Sequence, residues 1–215
     1  SDPTTINLSA TPSVAEGGSI VYTATLSNAA QTLLTVTLST GQTISIAAGA
    51  TSGSVAILAP ADDVFVDAGS VTRTITATSG GNFEDLQVGT ASATTAVTDT
   101  IDATTVSITG DATVIEGATA NYTVSLTSPA QTAVTVNLTY SGTAADGSDY
   151  TGVASVLIPA GASSASFNVA TLQDVIGEGA ENFTVTIASA AGGNFESLVI
   201  SGTNGAQTTS VTDDD

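Results

Sequence analysis

The chain has no cysteine, histidine, lysine, methionine or tryptophan, and Arg73 is its one basic side chain. Each absence removes a branch of chemistry. Without cysteine there are no disulfides and no thiolate metal sites. Without histidine the commonest general base and the commonest transition-metal ligand are missing. A formal net charge of −19 rules out nucleic acid and anionic membrane surfaces as partners. No apolar run approaches the roughly 18 residues that would span a bilayer, and the opening SDPTT is not a signal peptide. There is no glycine-rich phosphate loop and no Ser–His–Asp arrangement. Catalysis would have to rest on paired carboxylates or a bound metal, so the chain is expected not to be an enzyme. The lack of methionine is expected of a piece from the interior of a longer chain, and a cysteine-free acidic chain suits a bacterial exterior.

What is present is repeated. VAEGGSIVYTATLSNAAQT is answered by VIEGATANYTVSLTSPAQT, which sets Glu16 against Glu116, Tyr22 against Tyr122 and Gln31 against Gln131. GGNFE at Gly80–Glu84 returns at Gly192–Glu196, and VTDTID at Val97–Asp102 returns as VTDDD at Val211–Asp215. A period this long is a whole domain, so two domains are expected, at residues 1–101 and 102–215. Each is large enough to bury its own core.

Threonine and valine dominate, a composition suited to a half-buried pleated sheet. Alternation of period two predicts the strands. Ile20, Tyr22, Ala24 and Leu26 share a face, as do Leu34, Val36 and Leu38, Ile44 and Ile46, and Val55 and Ile57. In the second copy the faces are Tyr122, Val124 and Leu126; Val134, Val136 and Leu138; Val156 and Ile158; Phe167 and Val169; and Phe183, Val185 and Ile187. About seven short strands per copy with no helical period predict an all-β protein. It should be two tandem immunoglobulin-like antiparallel sandwiches of Greek-key type. Arg73 falls on a slot where the second copy has Val185. It is expected either to snorkel from an edge or, the favoured reading, to form an ion pair.

Letter the expected strands of the first copy A (about Thr5–Ser9), B (Ser19–Ser27), C (Leu33–Ser39), D (Thr43–Ala47), E (Ser54–Leu58), F (Val71–Thr78) and G (ending near Thr98). Successive antiparallel strands alternate in direction, so the A–B, C–D and E–F connections share one pole with the end of strand G. Sorting the acids by this rule gives Glu16, Asp62, Asp63, Asp67, Asp99 and Asp102 at that pole of the first copy. The second copy places Glu116, Asp146, Asp149, Asp174, Glu178, Glu181, Asp213, Asp214 and Asp215 there. Most of the 20 acidic residues are therefore predicted at two poles. Two unit charges about 5 Å apart repel by roughly 3 kcal/mol at an effective dielectric near 20. Oxygen-only ligands on loops select a hard cation, and Ca²⁺ above Mg²⁺. The alternative is that the acids gather for solubility and bind nothing.

The second copy, with IEGATANYTVSL, GSDYTG, IPAGASSASFNV and QDVIGEGAENFTVTI, resembles a Calx-beta domain over nearly its whole length. The resemblance implies Ca²⁺ held by Glu116, Asp149, Asp174, Glu178 and Asp213 to Asp215; the family often has paired Asp where this chain has Gln173-Asp174. The first copy, with GQTISIAAGATSGSV, PADDVFVDAGS, GGNFEDL and VTDTID, resembles the extender repeats of giant RTX-type bacterial biofilm adhesins secreted by type I systems. It lacks a DGSDY segment and so a counterpart of Asp149. These resemblances imply a secreted, extracellular stalk on a bacterial cell surface. Its partners would be neighbouring repeats of the same chain and its state monomeric, with Ca²⁺ at the poles stiffening the array. Two other functions fit the residues: a Calx-beta-type Ca²⁺ sensor, or a Ca²⁺-dependent carbohydrate-binding module using Tyr150 or Phe65 as its aromatic platform. Phe83 and Phe195, in the GGNFE loops, are expected either to meet a preceding domain or to fold back over their own sheet end.

Overall fold

A computed structural model describes residues 2–177 and 179–214, with strands, turns and loops and no helix among the described residues. The chain resolves into two compact units. Unit 1 runs through Asp63 and again from Asp67 to Thr100; unit 2 comprises Val64–Val66 and the chain from Ile101 onward.

Unit 1 contains β1 (Thr4–Ala10), β2 (Ser13–Ala15), β3 (Ser19–Leu26), β4 (Leu34–Leu38), β5 (Thr43–Ile46), β6 (Ser52–Leu58), β7 (Gly69–Gly80), β8 (Leu86–Val88) and β9 (Ser92–Thr98). They form a 4-stranded sheet in the order β6-β3-β1-β8 and a 5-stranded sheet in the order β2-β9-β7-β4-β5. The two inner faces enclose the core. Ile6, Ile20, Tyr22, Ala24, Leu34, Val36, Ile44 and Ile46 are fully buried, and they are the alternating residues of their strands. The Tyr22 hydroxyl donates to the Val71 carbonyl at 3.0 Å, so the buried phenol keeps a partner.

Unit 2 contains β10 (Ala103–Gly110), β11 (Thr113–Ile115), β12 (Thr119–Leu126), β13 (Val134–Gly142), β14 (Tyr150–Thr151), β15 (Ser155–Ile158), β16 (Ser164–Thr171), β17 (Glu181–Gly192), β18 (Ser197–Ile200) and β19 (Ala206–Thr212). Its 5-stranded sheets run β14-β16-β12-β10-β18 and β11-β19-β17-β13-β15. Its core holds more aromatic surface. Phe183 is fully buried, stacked on Tyr150 at 4.5 Å and tilted against Tyr122 at 6.5 Å.

The all-β sandwich architecture is as the alternation predicted, but each unit has more strands than seven and two of its pairings are parallel. The first strand breaks at Pro12 in unit 1 and at Asp111-Ala112 in unit 2, then changes sheets. The short continuations β2 and β11 run parallel to the last strands, β9 and β19. A second parallel pair joins β1 to β8, and β10 to β18. Segments of three residues carry too little alternation to register in a sequence pattern. Arg73 also departs from expectation. Among the described residues no carboxylate pairs with it; its Nη1 donates to the Thr72 carbonyl at 3.0 Å, and its buried Nε has no partner.

Candidate metal centres

The parallel pairings set the geometry of both acidic poles. In unit 1 the register Ala15↔Thr98 makes Glu16 and Asp99 the next residues on adjacent strands, and the Glu16 N–H donates to the Thr98 carbonyl at 3.1 Å. The Glu-Gly turn then needs a left-handed residue, which Gly17 supplies at φ 66°. The Gly17 N–H donates to the Pro60 carbonyl at 2.6 Å, tying the loop that carries Asp62, Asp63 and Asp67 to the same place. Carboxylate oxygens of Glu16, Asp67 and Asp99 converge to within 4.8 Å of one another.

Glu16 is the centre of this cluster. It is 7% exposed, and its Oε2 has no hydrogen-bond partner; the buried Asp99 Oδ1 has none either. Its carboxyl is pushed up to about 7, first by a hydrogen bond shared with the Asp67 carboxyl, then by burial and by the charges of Asp67, Asp99 and Asp63. A carboxylate held among like charges, with an orphaned oxygen, is a poor structural element and a good cation ligand.

Unit 2 repeats the construction. Ile115 pairs with Thr212 in parallel register, and the Glu116 N–H donates to the Thr212 carbonyl at 2.9 Å, so Glu116 lies beside Asp213. Oxygens of Glu116, Asp213 and Asp214 lie within 4.8 Å of one another. Glu116, Asp149, Glu181 and Asp213, with Gly179 and Val211, line a cavity of about 10 Å³. That is room for about one water-sized occupant. Asp149 reaches it because the DGSDY segment folds as a closed turn: its Oδ2 accepts the Ala145 N–H at 2.5 Å, and its carbonyl accepts the Leu172 N–H at 2.9 Å.

Not every predicted ligand joins a cluster. Asp62 turns to accept the Thr100 hydroxyl, while Asp63 remains close enough to Glu16 to raise its pKa. The Asp102 N–H donates to Glu196 at 2.6 Å, so its backbone serves unit 2's own F–G loop. Asp146 Oδ1 accepts the Gly152 N–H at 2.8 Å, a local turn bond. Asp174 Oδ1 accepts the Ile176 N–H at 2.7 Å, while its backbone N–H donates to Glu116 Oε1 at 3.0 Å. Asp62, Asp102 and Asp146 were expected as ligands on polarity and loop position, and Asp174 from the Calx-beta resemblance as well; the side chains of Asp146 and Asp174 each accept a nearby backbone N–H, as short side chains in turns do. Glu178 and Asp215, also predicted, lie outside the described residues. One contributor was missed: Gln173 Nε2 donates to Asp214 Oδ1 at 2.9 Å, and its side chain packs over Gly117, where a Cβ would meet its Oε1 at 2.5 Å. The signal was its place in Gln173-Asp174, where the Calx-beta family often has paired Asp.

Tyr150 is 2% exposed in the core, and Phe65 stacks on Phe195 at 5.3 Å. Phe83 and Phe195 fold back over Gly81 and Gly193, whose Cβ positions would lie 2.4 Å and 2.3 Å from the rings.

Two all-β sandwich modules of immunoglobulin-like type, each carrying carboxylates brought together beside its last strand, define the class of this chain. The LapA domain family matches residues 2–100 and again residues 102–214, and the chain belongs to that adhesin-associated family. No curated protein matches it. Solved structures similar to it include the apo form of the Calx CBD1 domain, at 22% identity over 52% of this chain and 98% of that one, with a TM-score of 0.45. CBD12 from CALX1.2 is 14% identical over 97% of this chain and 100% of that one, with a TM-score of 0.42. The calcium binding domain CBD12 of CALX1.1 is 16% identical over 95% and 98%, with a TM-score of 0.40.

Proposed function

We propose that this chain is a structural extender segment of a secreted, RTX-type adhesin on a bacterial cell surface. In this reading Ca²⁺ bound at the module ends stiffens a tandem array. The observation that carries it is Glu16, a carboxylate 7% exposed, hydrogen-bonded to a second carboxyl and left with an unpartnered oxygen. The donor set is all oxygen, which suits a hard cation of flexible coordination. Glu16, Asp67 and Asp99 would hold it in unit 1, and Glu116, Asp149, Asp213 and Asp214 in unit 2. A bound Ca²⁺ supplies compensation of like charge and a crosslink between the Glu-Gly turn and the residues that follow the last strand.

Asp99 opens the segment Asp99–Asp102, so a cation there restrains the start of that linker. Membership of an adhesin-associated family supports a surface role and a non-enzymatic module. The partners are neighbouring repeats of the same chain. Small-angle scattering in calcium and in chelator tests the stiffening: maximum dimension and flexibility should change on chelation, and an unchanged profile defeats it. Calorimetric titration separates the sensor reading, since an extender saturates at about 10⁻⁴–10⁻³ M Ca²⁺ and a sensor at micromolar levels. Against the carbohydrate-binding reading, Tyr150 is buried, and Phe65 is half-buried with its ring stacked on Phe195.

A further inference from the structure

The turn between β18 and β19 carries the chain from one sheet of unit 2 to the other. Two of its carbonyls tie those sheets together. Asn204 accepts the Ile108 N–H of β10 at 2.8 Å, and Gly205 accepts the Ile187 N–H of β17 at 2.9 Å. Unit 1 makes the same two bonds with other residues: Thr90 accepts the Leu8 N–H at 2.8 Å, and Ala91 accepts the Ile75 N–H at 2.8 Å. Asn204-Gly205 therefore stands where unit 1 has Thr90-Ala91.

Geometry explains the glycine but not the asparagine. A Cβ on Gly205 would lie 2.6 Å from the Ser201 carbonyl oxygen and 3.0 Å from Ile200 Cγ2, so this turn resists any larger residue there. Asn204 has no such reason. Among the described residues the non-glycine positions of positive φ are Asn82 and Asn194, so no left-handed backbone calls for asparagine at 204. Its backbone N–H donates to Ser201 Oγ at 3.0 Å, while its exposed side-chain amide makes no hydrogen bond among the described residues. The other asparagines are held or shielded. The side chains of Asn7, Asn28, Asn82, Asn121, Asn137 and Asn194 are hydrogen-bonded. Asn168 and Asn182 lie inside strands and precede the bulky Val169 and Phe183. Only Asn204 combines a free amide with a following glycine, whose nitrogen has no Cβ beside it to hinder attack.

We propose that Asn204-Gly205 is a self-modification site, at which the chain deamidates without an enzyme. The Gly205 nitrogen loses its proton to base and bonds to Asn204 Cγ; the Cγ–Nδ2 bond breaks, and the amide nitrogen leaves as ammonia after taking up a proton. The product is a five-membered succinimide. Water then opens one of its two carbonyl–nitrogen bonds, giving aspartate or isoaspartate, so that one amide and one water become one carboxylate and one ammonium. In the isoaspartyl product the main chain runs through the former side chain. The carbonyl that accepted the Ile108 N–H becomes a carboxylate branching from it, and the tie between the sheets is lost. Unit 1, with Thr90 in that place, keeps its tie. The clustered carboxylates take no part, and the chemistry stands whether or not they hold a cation.

The full chain is incubated at mildly alkaline pH and followed by anion exchange, peptide mass spectrometry and amide hydrogen exchange. A species one negative charge beyond −19 is expected to accumulate. Its Asn204 peptide should gain about 1 Da, as an amide NH₂ becomes a carboxyl oxygen, and separate into aspartyl and isoaspartyl forms. In the isoaspartyl form the Ile108 and Ile187 amides should lose protection while Leu8 and Ile75 keep theirs. Asn204→Thr, which copies Thr90, should abolish the new species and the loss of protection together. No gain at Asn204, a faster gain at another asparagine, or a charged species that persists in Asn204→Thr would overturn the site. Full protection of Ile108 and Ile187 in the isoaspartyl form would overturn its effect on the fold.

Discussion

Replacing Glu16 by Gln separates the charge of the first cluster from its shape. The side chains are nearly isosteric, and the amide can still donate to Asp67. In chelator, the wild-type carboxyl carries a pKa near 7 against an ordinary 4.5, because it shares a hydrogen bond with Asp67 and lies among like charges. A folded-state pKa raised above the unfolded one means stability that is full below about 4.5 and is lost as pH rises through about 7. Metal-free wild type should therefore melt at a lower temperature at pH 8 than at pH 5.5 through this group, and Glu16→Gln should flatten that part of the dependence. Calcium acts in the opposite sense. An ion at 100 times its dissociation constant adds about 2.7 kcal/mol. For a domain of roughly 100 residues that raises the melting temperature by about 10–20 °C. Scanning calorimetry of wild type, Glu16→Gln and Glu116→Gln, at both pH values with chelator and with calcium, reads both effects. Glu16→Gln should lose most of the calcium increment of unit 1 and Glu116→Gln that of unit 2. If Glu16→Gln keeps the full calcium increment and the full pH dependence, the cluster is not a cation site and the reasoning from the orphaned oxygen is wrong.

Phe183→Ala removes a fully buried ring that stacks on Tyr150 at 4.5 Å, and should cost about 3–5 kcal/mol by chemical denaturation. Asp111 is held below its ordinary pKa by the Asn121 backbone N–H at 2.8 Å and side-chain amide at 3.0 Å. Its contribution is present above the ordinary carboxylate range and fades as pH falls through the lowered value. Asp111→Thr, the residue type that serves the same bond at Thr11 in unit 1, should soften that acid dependence in an acid-unfolding titration. Arg73→Val, which copies Val185, removes a buried unpartnered Nε and should leave the melting temperature level or higher; a clear fall would mean the guanidinium has an unrecognised partner.

Much of this was legible before any coordinates. Period-two alternation named the core, because a sheet with one buried face forces it: Tyr22, Leu34, Val36, Phe183 and Val185 all lie inside. Val55, Ile57 and Phe167 are only partly buried against it. Counting strand directions brought Glu16 to Asp67 and Asp99, and Glu116 to Asp213 and Asp214. What the pattern could not resolve was which acids in a loop face inward. Asp146 and Asp174 spend a side-chain oxygen on a nearby backbone N–H, and the geometry of a turn, not its composition, decides that. The parallel strand β2 was equally silent, since its three residues hold a register without a pattern. The cover over Phe195 was invisible too, because a bridge of one residue pair leaves no trace in periodicity.

That short parallel strand has a mechanical side. Ser13, Val14 and Ala15 pair with Ala96, Val97 and Thr98 in the same direction. A pull toward the N-terminus on β2 and toward the C-terminus on β9 therefore slides one strand along the other. Its hydrogen bonds lie across that load and must rupture together, whereas a hairpin pulled at its open end parts one bond at a time. Glu16 and Asp99 stand immediately beyond this patch, where a crosslink would have to be stretched before the strands could slip. For a module under tension, the weakest-looking strand is the latch.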